Sequence, residues 1–330
     1  MKQFLQKKAK LVFLCMLVLL TCTACANPRG KDGKTRADQI IASEETTIDV
    51  NQINVSDITD KALKKEIKKN IKDGKYTIQP TTFKNSMSHG WFDGLIVWPI
   101  AQIINLVSAK TDAGVGIIVT TLLIQMLVFV FTRKSQMSTQ RMQEIQPEIQ
   151  RIQDKYKDKT DERSKMQMAQ EMQNIYQKYD IHPFGSMLVT FIQLPIMMGM
   201  YYATMRAVSV VSGSFIGISL FGTPIEGIKA LNIPCIIIYV LMVIFYIVSM
   251  KLPQWLKKWQ DKKDNVKVKK YAQEQTNPMA NSMNMSMYFM TAMICVMYIS
   301  WPMAMSFYWL VSSVIRVCQS LILHQVMNKK

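Results

Sequence analysis

Five long apolar blocks leave this chain little room for a water-soluble fold. They cover roughly residues 114–132, 187–205, 233–250, 284–301 and 303–323. About 20 consecutive apolar residues cross the ~30 Å hydrocarbon layer of a bilayer as a helix. Lipid offers no partners to free backbone donors and acceptors, so each span must close its own hydrogen bonds. Of 330 residues, 49% are hydrophobic, and nearly all of that hydrophobicity lies in these blocks. The sequence therefore predicts an all-α polytopic membrane protein with five transmembrane helices.

The charges between the blocks orient it. Residues 133–180 carry ten Lys and Arg, and 251–282 carry eight, whereas 206–231 carries only Arg206 and Lys229. Basic residues close to span ends stay in the cytoplasm. The 133–180 and 251–282 loops and the C-terminal tail are therefore expected inside, and residues 26–112 outside. The lysines of 26–112 do not oppose this, because long segments cross largely regardless of charge.

The N-terminus gives the same orientation independently. Lys2, Lys7, Lys8 and Lys10 precede a short apolar run, Leu11 to Leu20, which is the pattern of a secretory signal. It ends in "LLTCTACAN", where Ala24 before Cys25 looks like a bacterial lipobox. Cleavage there would leave Cys25 as a lipidated N-terminus. Cys22 is the alternative modified residue, and an uncleaved anchor helix is the alternative to processing. The expected organisation is a signal peptide over 1–24, a polar lipid-anchored segment over 25–90, an interfacial amphipathic helix within 91–112, a five-span core over 113–325 and a short basic tail over 326–330. Within 25–90 the segment is read as irregular apart from one helix, from Thr59 to about Asp73, with Gly74 as its stop.

The loop 133–182 is patterned. Met142, Ile145, Ile149, Ile152 and Tyr156 recur at spacings of 3, 4, 3 and 4, and Met168, Met172, Ile175 and Tyr179 at 4, 3 and 4. Such a seam predicts an antiparallel helical hairpin. Thr160 is expected to cap its second helix, and Pro147 to kink its first. The second cytoplasmic loop, 251–282, is lysine-rich. It fits topology and attraction to anionic membrane lipids, with ribosomal contact as the sharper alternative.

Nothing in the chain suggests an enzyme. His89, His182 and His324 are scattered, no cysteine pair has metal-ligand spacing once Cys15 and Cys22 are set aside with the signal, and there is no GxxxxGK[ST] phosphate loop. No cofactor, metal or DNA partner is expected. No Asp or Glu lies in any of the five blocks, which argues against a proton-driven carrier.

Three motifs then carry a resemblance: "MQEIQPEIQRIQDKY", "HPFGSMLVTFIQLPIMMGMYYA" and "YWLVSSVIRVCQSLIL". In this order, after a lipobox and a first span, they resemble the YidC/Oxa/Alb family of membrane protein insertases in its five-span Gram-positive form. The resemblance covers about residues 88–325. It implies a protein that receives nascent membrane proteins, alone or beside the Sec translocon, and passes their apolar spans into the bilayer without nucleotide. It also implies a hydrophilic groove open to the cytoplasm, and a hairpin that recruits substrate through Met142, Ile145, Pro147, Ile149, Ile152 and Met172. A polytopic transporter or channel, and a scaffold that only assists Sec-dependent assembly, are the rival readings.

One departure stands out. The position of the family's groove arginine in the first span falls on Gln125, while the fifth span carries Arg316 where the family motif usually has no charge. Trp309, Ser312, Arg316, Gln319 and Leu323 share one helix face. The family's counterpart of Trp309 lines the groove. Gln125 and Arg316 are each six or seven residues from the cytoplasmic edge, about 10 Å at ~1.5 Å per residue. The expectation is that the groove charge has moved from the first span to the fifth. A snorkelling Arg316 and a Gln125 used only for packing are the alternatives. Thr121, one turn from Gln125, and Gln193 complete the expected groove. Fourteen Met residues in 187–205 and 279–305 read either as ordinary packing or as an adaptable surface for varied substrate helices.

Overall fold

A computed structural model describes residues 28–328 except 160, 182, 264–288, 290 and 294. Its principal helices are α1 (Lys61–Lys69), α2 (Trp98–Ser108), α3 (Ala113–Glu144), α4 (Gln146–Lys155), α5 (Glu162–Lys178), α6 (Pro183–Arg206), α7 (Ile233–Lys263) and α8 (Met303–Asn328). Among the described residues, three stretches are long and apolar enough to cross a membrane: Ala113–Met142 of α3, Ile233–Gln260 of α7 and Met303–Val326 of α8. The protein is thus a mostly helical membrane protein. α6 covers the second expected span over 24 residues. The fourth, 284–301, lies partly outside the described residues, as do Cys25 and the signal segment.

The described residues form two compact units. The first joins 28–120 to 194–221. Its polar N-terminal part is not irregular, and here the expectation of an all-α chain fails. Strands β1 (Thr35–Arg36) and β3 (Ile53–Asn54) pair in parallel. β2 (Thr46–Asp49), β5 (Lys75–Ile78) and β4 (Ile71–Lys72) form an antiparallel sheet in the order β2-β5-β4. The β4–β5 turn is Asp73–Gly74, with φ of +50° and +72°. Positive φ at both central residues is the hairpin turn that Asp-Gly favours. Gly74 therefore turns a hairpin rather than stopping a helix.

α1 is accordingly shorter than expected. Its cap is Asp60, whose carboxylate accepts from the backbone of Ala62 and Leu63, and it ends at Asn70. Ile48, Ile53, Ile67 and Ile78 bury their side chains together with Val208 and Val211 from the segment after α6. Backbone bonds reinforce this seam: Ile41 donates to the Arg206 carbonyl at 2.7 Å, and Val208 to the Ile41 carbonyl at 3.0 Å.

The expected interfacial helix runs from Trp91 through a π-helical turn, Asp93–Val97, into α2. Its Val97, Ile100, Ala101 and Ile104 are buried, while Trp91, Leu95 and Leu106 are exposed. Asp93 meets Arg206 at 2.7 Å, and Arg206 Nε donates to the Gln39 carbonyl at 2.7 Å.

The second unit joins 121–193 to 222–328. α7 and α8 pack along each other. α3 is one helix that continues past its apolar stretch to Glu144, so Met142 sits at its end rather than starting a separate helix. The chain breaks at Ile145, two residues before Pro147 at the start of α4. Pro147 has no N–H to donate and clashes with a helical carbonyl four residues back, so the expected kink is a full break. The cap of α5 is Asp161, which accepts from the Ser164 backbone. A carboxylate at that position also meets the positive end of the helix dipole; Thr160, the expected cap, lies outside the described residues.

Candidate functional site

Gln125, in the apolar part of α3, is 6% exposed. Its Nε2 donates to the Ser312 hydroxyl of α8 at 3.2 Å. One turn earlier on α8, the Tyr308 hydroxyl accepts from Gln193 Nε2 of α6 at 2.7 Å. A single face of α8 thus holds polar side chains from two other helices. An amide in an apolar span needs a partner because nothing in lipid supplies one. Thr121, one turn from Gln125, is fully buried.

Arg316 lies one turn beyond Ser312. The guanidinium carbon is 5.6 Å from the centre of the Trp309 ring and 6.0 Å from that of Tyr246 on α7. Its Nη2 donates to Ser313 at 3.1 Å. Tyr298 stacks on the other partner ring, with centroids 4.9 Å from Trp309 and an interplanar angle of 26°. Helical side chains leave the backbone tilted toward the N-terminus, and Arg316 keeps that direction along its whole length. Both Ser313 and Trp309 precede it. The side chain therefore runs away from the C-terminal end of α8.

Two donors here are buried without a hydrogen-bond partner among the described residues: Arg316 Nε and Trp309 Nε1. A buried unsatisfied donor costs on the order of 1–3 kcal/mol. No carboxylate among the described residues pairs with Arg316, so its charge is not neutralised from within. Sequence spacing brought Trp309, Ser312 and Arg316 to one face, and the structure places them there. It also places Gln319 on α8, half-buried and one turn further on. What spacing missed are the tyrosines. Tyr246, Tyr298 and Tyr308 come from three separate stretches, and the only signal was a phenol inside an apolar run.

Further along, α3 and α8 meet again. Gln140 Nε2 donates to the Ser320 carbonyl at 3.2 Å, and His324 Nδ1 lies 3.5 Å from the Glu144 carboxylate. Contacts climb both helices in the same order, so the two run parallel.

Ile145 and Ile149 are buried with Ile181, against Met142, Met172, Ile175, Tyr176 and Tyr179. Ile152 and Tyr156 are buried too. Across the seam Tyr156 donates to Glu171 and Tyr179 to Glu148, so residues pair in opposite order along α4 and α5. Hydrogen bonds from Lys155 and Tyr156 hold the Glu171 carboxyl below its usual range. The same Glu171 raises Lys155. Bonds from Ser164 lower Asp161.

Residues 105–330 match the model of the family described as 60Kd inner membrane protein. Among similar curated proteins, the membrane protein insertase YidC 1 of Streptococcus pyogenes is 30% identical, over 72% of this chain and 75% of its own. The membrane protein insertase YidC of Enterococcus faecalis is 30% identical over 72% and 76%. The membrane protein insertase MisCA of Bacillus subtilis is 29% identical over 71% and 79%.

Proposed function

Because this chain belongs to the 60Kd inner membrane protein family, we propose that it is a membrane protein insertase, accepting newly made membrane proteins and releasing their apolar spans into lipid. The observation that carries this is the family match, which takes in α3, α7 and α8 and every residue of the candidate site.

The physical task is to bring a substrate's polar external segment through hydrocarbon. A central charge costs roughly 2.5–3.5 kcal/mol on insertion scales. A polar groove reaching partway across the membrane shortens the dry path, and an unpaired cation in it attracts acidic segments. Burial of the substrate's own apolar span then drives release. In this reading five spans surround the groove, α4 and α5 form the cytoplasmic hairpin that recruits substrate, and the N-terminus is anchored outside through Cys25. Arg316 supplies the charge that Gln125 lacks. The parallel run of α3 and α8 supports this arrangement, since a first and a fifth span must cross in the same direction. The Sec translocon and the ribosome are the expected partners in delivery.

Purified protein in vesicles tests the function. Insertion of a small single-span protein without nucleotide supports it. Selective solute flux without insertion would identify a transporter or channel instead. Insertion only in the presence of Sec would identify an assembly scaffold. Mass spectrometry of the mature N-terminus tests the anchor: an unprocessed Met1 would end it.

A further inference from the structure

We propose that Tyr246 is a positioning residue for the site: with Trp309 it clamps the Arg316 guanidinium between two ring faces and holds the charge inside the helix cluster. This rests on the insertase reading and adds a part to it.

An arginine in an apolar span has two competing places to put its charge. It can extend to the headgroups, where water and phosphate solvate it, or it can stay at depth if something there offsets desolvation. Arg316 has no carboxylate partner among the described residues. What it has instead are two aromatic faces, at 5.6 Å and 6.0 Å, and one hydroxyl. A ring face attracts a cation through its quadrupole, and the attraction strengthens when water is excluded. Trp309 is on the same helix as Arg316, so alone it fixes only the rotamer. Tyr246 comes from α7, and its ring makes the clamp dependent on the packing of α7 against α8. Tyr298 holds Trp309 in turn, by stacking on it.

A carboxylate at this place would neutralise the charge and occupy its donors. Rings attract the cation without offering a hydrogen-bond acceptor, and so leave its N–H groups available. That is consistent with a buried Arg316 Nε lacking a partner. The clamp thus solves a specific problem: keeping an arginine deep in the cluster while leaving it free to bind an acidic segment.

The test uses the full chain in vesicles and two substrates that differ only in an acidic or a neutral translocated segment. The quantity read is the ratio of their insertion rates. Tyr246→Leu removes the face and keeps the volume apolar. It should cut the ratio roughly fivefold, the factor that a modest cation–π attraction supplies. Tyr246→Phe keeps the face and should keep the ratio. A Tyr246→Leu variant that preserves the wild-type ratio overturns the clamp. So does one that slows both substrates by the same factor, since that is the signature of lost packing alone. Arg316→Ala serves as the reference. If it leaves the ratio unchanged, the charge assignment itself has failed, which is a different result from failure of the clamp.

Discussion

The Gln125 amide donates to the Ser312 hydroxyl across two helices that are 187 residues apart in sequence, at 3.2 Å and fully inside the protein. This bond fixes the register of α3 against α8 at the level of the candidate site. Arg316 is one turn further along the same helix face. A polar side chain in an apolar span is therefore a cross-helix tie here, and the charge sits on the partner helix.

Ser312→Ala should loosen that tie. Interhelical hydrogen bonds in membranes average about 0.6 kcal/mol. The loss should be on the order of 0.5–1 kcal/mol, read as a lower unfolding midpoint of the protein in detergent. Ser312→Thr, which retains a hydroxyl, should lose less. An unchanged midpoint in Ser312→Ala would show that the amide finds another partner at no cost.

The first unit depends on a buried charge pair. Arg206 is almost fully buried, and it binds both Asp93 and the Gln39 carbonyl. Asp93→Ala leaves the guanidinium buried and half-satisfied, a change that costs roughly 3–5 kcal/mol in comparable cases. Amide exchange over 28–78 should accelerate strongly in that variant while exchange in α4 and α5 stays as it was. Equal acceleration in both regions would contradict the division into two units.

Helices α4 and α5 should respond to acid. Asp161 and Glu171 are held below their ordinary carboxylate values by hydrogen bonds in the folded state. Their contribution is thus present above the unfolded-state values and is lost as pH falls through the folded-state ones. Lys155 is raised, so its share is present at neutral pH and is lost only as pH rises through its folded-state value. Lys155 and Asp161 are exposed and Glu171 is partly so, and solvent screening keeps the effect small. Protection of amides 162–178, taken relative to their intrinsic exchange rate at each pH, should be greatest near neutrality and lower at about pH 3. Protection that rises on acidification would contradict the assignment.

Much of the architecture was legible because lipid imposes a simple code. Long apolar runs had to be helices, and α3, α7 and α8 follow them closely. The seam from Met142 to Tyr156 was equally readable, since a 3-4 repeat buries one stripe wherever it occurs. Residues 28–78 were not readable in the same way. Their strands are two to four residues long, and Asp73–Gly74 reads in the sequence as the end of a helix because a lysine-rich helical run precedes it. Their core also includes Val208 and Val211, more than 100 residues downstream, which no local pattern announces. At the site, the shared face of Trp309, Ser312 and Arg316 followed from spacing on one helix. The part played by Tyr246 did not, because it depends on how α7 meets α8.

Substrate insertion by reconstituted Arg316→Ala, with and without Gln125→Arg, tests whether Arg316 supplies the groove charge. Arg316→Ala should lower insertion of an acidic-tailed substrate by at least about tenfold, the factor of ~1.4 kcal/mol. Adding Gln125→Arg should restore most of that loss, because a charge from α3 then faces the same space. Full activity of Arg316→Ala would contradict that assignment.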